Sequence, residues 1–116
     1  MAKIDKLSFG SIVIDGKKHH WDMVIFADGT VKKRKGSLSL DSIKKEEIDE
    51  LAQGEPEAIV IGVGVWDRAS LASGVENWAK EKNLSLTVQP SREAAAKLNE
   101  SAAQKKKVAA LIHIFC

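Results

Sequence analysis

The sequence predicts an α/β domain in which a mixed central sheet, flanked by helices, is joined to an N-terminal antiparallel β layer. Three observations predict it. Runs rich in β-branched and aromatic residues, broken by turn signals, fill the first third of the chain. From residue 41 the apolar positions switch to helical spacing. Two continuous apolar runs, Ala58–Val63 and Val108–Ile112, have the character of strands covered on both faces. The predicted order is β-β-β-α-β-α-β-α-β, in one domain spanning residues 1–116.

Ser11–Asp15 and His19–Phe26 read as strands separated by Gly16-Lys17-Lys18, and Asp28-Gly29 follows as a second turn before Thr30-Val31. Asp-Gly is favoured where a two-residue loop needs both residues at positive φ, so a three-stranded meander is expected. In DSIKKEEIDELAQG, Ile48, Leu51 and Ala52 share a helical face, with Asp41 or Ser42 as N-cap and Gly54 as stop. Ser73 and Glu76 have the spacing of a capping box, and Val75, Trp78 and Ala79 give the following helix its inward face. Leu84–Val88 reads as a strand ended by Pro90. Ser91 then stands as the cap of a helix whose apolar stripe is Ala95, Leu98 and Ala102. The last element, Val108–Ile112 with His113, closes the sheet after the solvated lysines 105–107.

Composition narrows the function classes. With 44% hydrophobic and 29% charged residues, the chain matches soluble globular domains, and at 116 residues it can bury a core unaided. A net charge of +2 is too small to predict a nucleic-acid or membrane partner. The apolar runs fall far short of the ~20 residues a spanning helix needs, and the N-terminus shows neither a secretory nor a transit pattern. One cysteine excludes an intrachain disulfide. The expected location is the cytoplasm.

Among candidate sites the stretch AIVIGVGVWDR stands first. Gly62 and Gly64 lie at the carboxyl end of a strand, where open α/β sheets bind ligands, and Trp66, Asp67 and Arg68 add an aromatic face, an anion and a guanidinium. The dinucleotide fingerprint is incomplete and no phosphate-loop lysine follows, so tight-loop geometry competes with ligand binding as the role of these glycines. His19 and His20 point to opposite faces of a strand and cannot jointly hold a metal without a bulge. His113 and Cys116, three apart, face opposite sides in the same way, which disfavours a thiolate–imidazole pair. The basic residues Lys17, Lys18, Lys32, Lys33, Arg34, Lys35 and 105–107 read as solvated edges. No catalytic constellation is complete, and neither a cofactor nor a metal is expected.

Taken in order, LSFGSIVIDG, FADGTVKKRKG, AIVIGVG, VQPSREAAAKLNE and VAALIHIFC carry a resemblance. The chain resembles the Mth-type domain of unknown function. The eukaryotic members of that family include the mitochondrial complex I assembly factor three and the adipogenesis-associated Mth domain-containing protein. The resemblance implies an α/β fold with a mixed sheet and, from those eukaryotic members, action through protein partners without an established catalytic set. Two departures stand out: Phe115 replaces the threonine of a His-x-Thr-Cys tail, and Val65-Trp66-Asp67-Arg68 replaces a Gly-rich loop followed by a proline.

Two functions follow as expectations. The first is a non-enzymatic protein-binding or assembly module using the loop 62–68, with homo-oligomerisation open. The second is a small-molecule-binding protein or enzyme built on the same glycine loop after strand 58–63.

Overall fold

In a computed structural model, residues 2–35, 42–66 and 69–115 are described, and the expected architecture is found. Strands β1 (Ile4–Ser8), β2 (Ser11–Ile14) and β3 (Lys17–His19) form an antiparallel sheet in that order. A mixed five-stranded sheet combines β4 (Met23–Ile25) and β5 (Val31–Lys33) with β7 (Ala58–Val63), β9 (Leu86–Gln89) and β10 (Val108–His113). Its order is β5-β4-β10-β7-β9. Two short strands, β6 (Ser42–Ile43) and β8 (Ser70–Leu71), pair in parallel. The helices are α1 (Lys45–Ala52), α2 (Val75–Glu81) and α3 (Ser91–Ala103).

The N-terminal third is not one meander. The expected strand His19–Phe26 breaks at His20-Trp21-Asp22 into β3 and β4, which belong to different sheets. The reason is burial. Met23 and Ile25 are taken into the core against β10, whereas Lys17 and Lys18 stay in solvent. The tight turn with both residues at positive φ is Asp15-Gly16 (φ 50° and 80°), joining Ile14 to Lys17. At Asp28-Gly29 only the glycine is left-handed. There the Phe26 carbonyl accepts from Gly29 N–H, Phe26 N–H donates to Thr30, and the Asp28 carboxylate accepts from Thr30 N–H.

β10 lies at the centre of the large sheet, antiparallel to β4 and parallel to β7, and all six of its residues are buried. Alternation sorts its side chains into two cores. Val108, Ala110 and Ile112, followed by Ile114, join Ile12, Ile25, Val60 and Leu98 on the α3 side. Ala109 and Leu111 join Ile48, Leu51, Ile59 and Ile61 beneath α1 and α2. The N-terminal sheet closes over the first core. The Asn99 side-chain amide both accepts from and donates to the main chain of Ile4, as a neighbouring strand would.

The helix starts depart from expectation. α1 begins at Lys45, where the Glu47 carboxylate accepts from Lys44 N–H; Ser42 is in β6, and Asp41 lies outside the described residues. The capping box at Ser73 does not form. Gly74, at φ 82°, turns the chain into α2 with no side-chain cap. Ser91 is the first residue of α3 rather than its cap, because its hydroxyl is drawn inward between strands. The stripe of α3 that is buried runs Ser91, Ala94, Ala95, Leu98 and Ser101, with Ala102 only half-buried.

Candidate functional site

Three layers meet at the carboxyl end of the parallel strands β7, β10 and β9. The first is the glycine loop. On the α3 face of β7, a Cβ on Gly62 would stand 2.8 Å from Ser91 Oγ and 3.0 Å from Ser91 Cα. Gly64, at φ 106°, donates its N–H to Ser91 Oγ at 2.8 Å and accepts from Ser91 N–H at 2.9 Å. The same hydroxyl donates to the His113 carbonyl at 2.5 Å. One serine thus fastens α3 to the ends of β7 and β10. Both glycines serve this close approach, and the Gly64 N–H is spent inside the protein rather than offered to a ligand. Gly62→Ala is therefore expected to cost about 1–3 kcal/mol through overpacking. A chemical-denaturation midpoint equal to wild type would show that α3 yields instead.

The second layer is buried and ionic. Asp22, just before β4, and Arg34, just after β5, face each other across the end of that hairpin, with Arg34 N–H donating to the Asp22 carbonyl. Asp22 is 2% and Arg34 3% exposed, and Nη1 donates to Asp22 Oδ2 at 2.9 Å. On its other side the guanidinium grips Glu47 of α1, through Nε at 2.6 Å and Nη2 at 3.0 Å, and Nη2 also donates to the Ser42 carbonyl. Asp22 further accepts from His113 Nδ1 at 2.7 Å and from Ile114 N–H at 2.8 Å. A planar fork between two carboxylates suits arginine and would defeat lysine.

Burial alone would raise the Asp22 carboxyl pKa. The hydrogen bonds from His113, Ile114 N–H and Arg34 outweigh it and hold the group below the ordinary aspartate value. Arg34 is likewise opposed by burial, but Glu47 and Asp22 raise it above the usual guanidinium value. Because Asp22 is ionised, the His113 nitrogen facing it must be the donor. The imidazole is thereby fixed in orientation.

The third layer is aromatic and faces solvent. Phe9, on the turn between β1 and β2, stacks on Trp66 with centroids 4.8 Å apart, and meets Phe115 edge-on at 5.7 Å. Phe9 is 48% and Trp66 59% exposed. Backbone bonds hold the frame beneath them: Gly10 N–H donates to Ile114, and Val65 N–H to Phe115. Phe115 lies 6.0 Å from the His113 ring, which connects the surface layer to the ionic one.

Of the expected residues, Gly62, Gly64 and Trp66 come together here, while Asp67, Arg68 and Cys116 lie outside the described residues. His19 is half-buried and His20 exposed. Among the described residues no group of three or more His, Cys, Asp or Glu is placed to hold a metal. Lys17, Lys18, Lys32, Lys33, Lys35 and 105–107 are exposed, as a solvated edge requires, but Arg34 is a correction. It is buried because the strand ends at Lys33 and the next side chain turns in between two carboxylates. Sequence reasoning also misses Asp22, Glu47, Phe9 and Phe115. A usable signal exists for Asp22, an acidic residue immediately before a strand with a buried apolar face.

The comparisons with known proteins bear on this frame. Residues 4–113 match the family model described as a protein of unknown function, DUF498/DUF598. The chain belongs to this family. Nothing among the curated proteins matches it significantly. Among solved structures, this DUF498/DUF598 chain is similar to the protein MT938, at 29% identity and TM-score 0.83, with 100% of each chain covered. It is also similar to the conserved hypothetical protein PH1505 from Pyrococcus horikoshii, at 27% identity and TM-score 0.82, with 98% and 99% of the two chains covered. A Mth938-like domain from Bordetella pertussis shares the fold at 14% identity and TM-score 0.75, covering 97% of this chain and 85% of that one. Among the described residues of this DUF498/DUF598 chain, no helix is long and apolar enough to cross a membrane.

Proposed function

We propose that the protein is a non-enzymatic, cytoplasmic protein-binding or assembly module that engages its partner through Phe9, Trp66 and Phe115. The observation that carries this reading is the exposed Phe9–Trp66 stack over a hydrogen-bonded backbone frame. Large aromatics on a pre-organised surface supply much contact area for little ordering entropy, and such residues dominate protein interfaces. The partner of this chemistry is a protein presenting an apolar side chain that Phe9 and Trp66 can flank. Resemblance to proteins that act through protein partners supports the same reading, and the single cysteine suits a reducing compartment.

The small-molecule alternative is less favoured because Ser91 occupies the open side of Gly62 and takes the Gly64 N–H. Affinity capture with the full chain tests the proposal. Wild type is expected to retain a stoichiometric partner, and Phe9→Ala and Trp66→Ala each to weaken it by about 2 kcal/mol, as interface hot spots do. Retention of that partner at wild-type affinity by folded variants would remove the aromatic patch from the reading.

A further inference from the structure

The two edges of the central sheet are treated differently. β5 carries Lys32 and Lys33, both exposed, and lysines on an edge discourage strand addition. β9, at the other edge, reads Leu86-Thr87-Val88-Gln89, with no charge and with Val88 40% exposed. Among the described residues β7 is its one strand partner. The parallel register and the bond from Ile59 N–H to the Ser85 carbonyl direct the main chain of Ser85, Thr87 and Gln89 towards β7. The N–H and C=O groups of Leu86 and Val88 consequently point away from the sheet. Side chains divide the same way: Leu86 and Val88 line the α2 side with Ala79 and Leu84, whereas Thr87 lies opposite Val60 on the α3 side.

We infer that β9 is a self-pairing edge, joining a second copy of this chain about a two-fold axis. The outward groups select one register. With Thr87 opposite the partner's Thr87, Leu86 lies opposite the partner's Val88, and each such pair exchanges both of its backbone hydrogen bonds. Leu86 then packs on the partner's Val88, and the threonines meet in the closer, non-hydrogen-bonded arrangement. Pairing β9 with β5 of another copy would set the lysine edge against it and leave one free edge of each kind on every assembly, so growth would not close. The symmetric contact closes on itself. This surface is separate from the aromatic patch, and neither inference requires the other.

The experiment is sedimentation of the full chain over a wide concentration range, joined to cysteine cross-linking in a Cys116→Ser background. Wild type is expected to dimerise with rising concentration. Val88→Pro and Val88→Lys are expected to stay monomeric with wild-type circular dichroism, because the Val88 N–H makes no bond to β7. On mild oxidation, Thr87→Cys is expected to form a covalent dimer and Val88→Cys is not, since only position 87 meets its own copy across the axis. The proposal is overturned by a wild type that is monomeric throughout, by a dimer that survives Val88→Pro, or by cross-linking through position 88 instead of 87.

Discussion

Deleting residues 108–116 is expected to abolish cooperative folding. β10 is the strand against which both β4 and β7 pair, so its loss leaves two unsatisfied edges facing each other across an empty lane. Val108, Leu111, Ile112 and Ile114 are each at most 1% exposed. Burying such a side chain stabilises by about 1.5–3 kcal/mol. Together they rival the ~5–15 kcal/mol net stability of a typical domain. Thermal melting followed by circular dichroism checks this, and a truncation that stays soluble and melts in one sharp transition would show that the segment is an appendage.

Replacing Arg34 by methionine is expected to destabilise the protein by about 3–5 kcal/mol, the usual effect of leaving a buried charge without its partner. Asp22 has no route to solvent, whereas Glu47, less deeply buried, can reach water. Arg34→Lys should recover only part of the loss, because an ammonium cannot span both carboxylates as the guanidinium does. The pH dependence follows from Asp22. Its folded pKa lies below the unfolded value of ~3.9. The stability it contributes is therefore complete above that value and is lost as pH falls through the folded pKa. Denaturation midpoints of the wild type should change little through this group near neutrality and drop in acid. In Arg34→Met, one of the bonds holding the carboxyl low is gone, so the loss should begin at a higher pH. Identical acid profiles for the two proteins would show that Arg34 does not stabilise the Asp22 anion.

These two expectations differ in how far the sequence announces them. Val108–His113 is legible because a strand buried on both faces has no polar side to interrupt the apolar run. Ala58–Val63 is legible for the same reason. Arg34 is opaque because Lys32-Lys33-Arg34-Lys35 contains nothing local to single out one cation. Its burial depends on Asp22, twelve residues earlier, and Glu47, thirteen later. Ser91 is recognisable as a helix-start residue, but its hydroxyl serves Gly64 and His113, which are remote in sequence. Local preference there yields to tertiary contact. The glycines are legible as close-approach positions, while the body approaching them, α3 rather than a ligand, is not. Phe9 carries no local signal, because Phe115 comes beside it only at the end of β10.

The placement of β10 also bears on how the fold is reached in time. The hairpins among β1, β2 and β3 join residues close in sequence and can form early. The central lane must wait, because Val60 and Ile25 meet Ala110 only after long loops have closed. During synthesis β4 and β7 can pair with β5 and β9, but the other edge of each stays open until the residues of β10 have left the ribosome. Until then the nascent chain is exposed to strand-capturing mispairing.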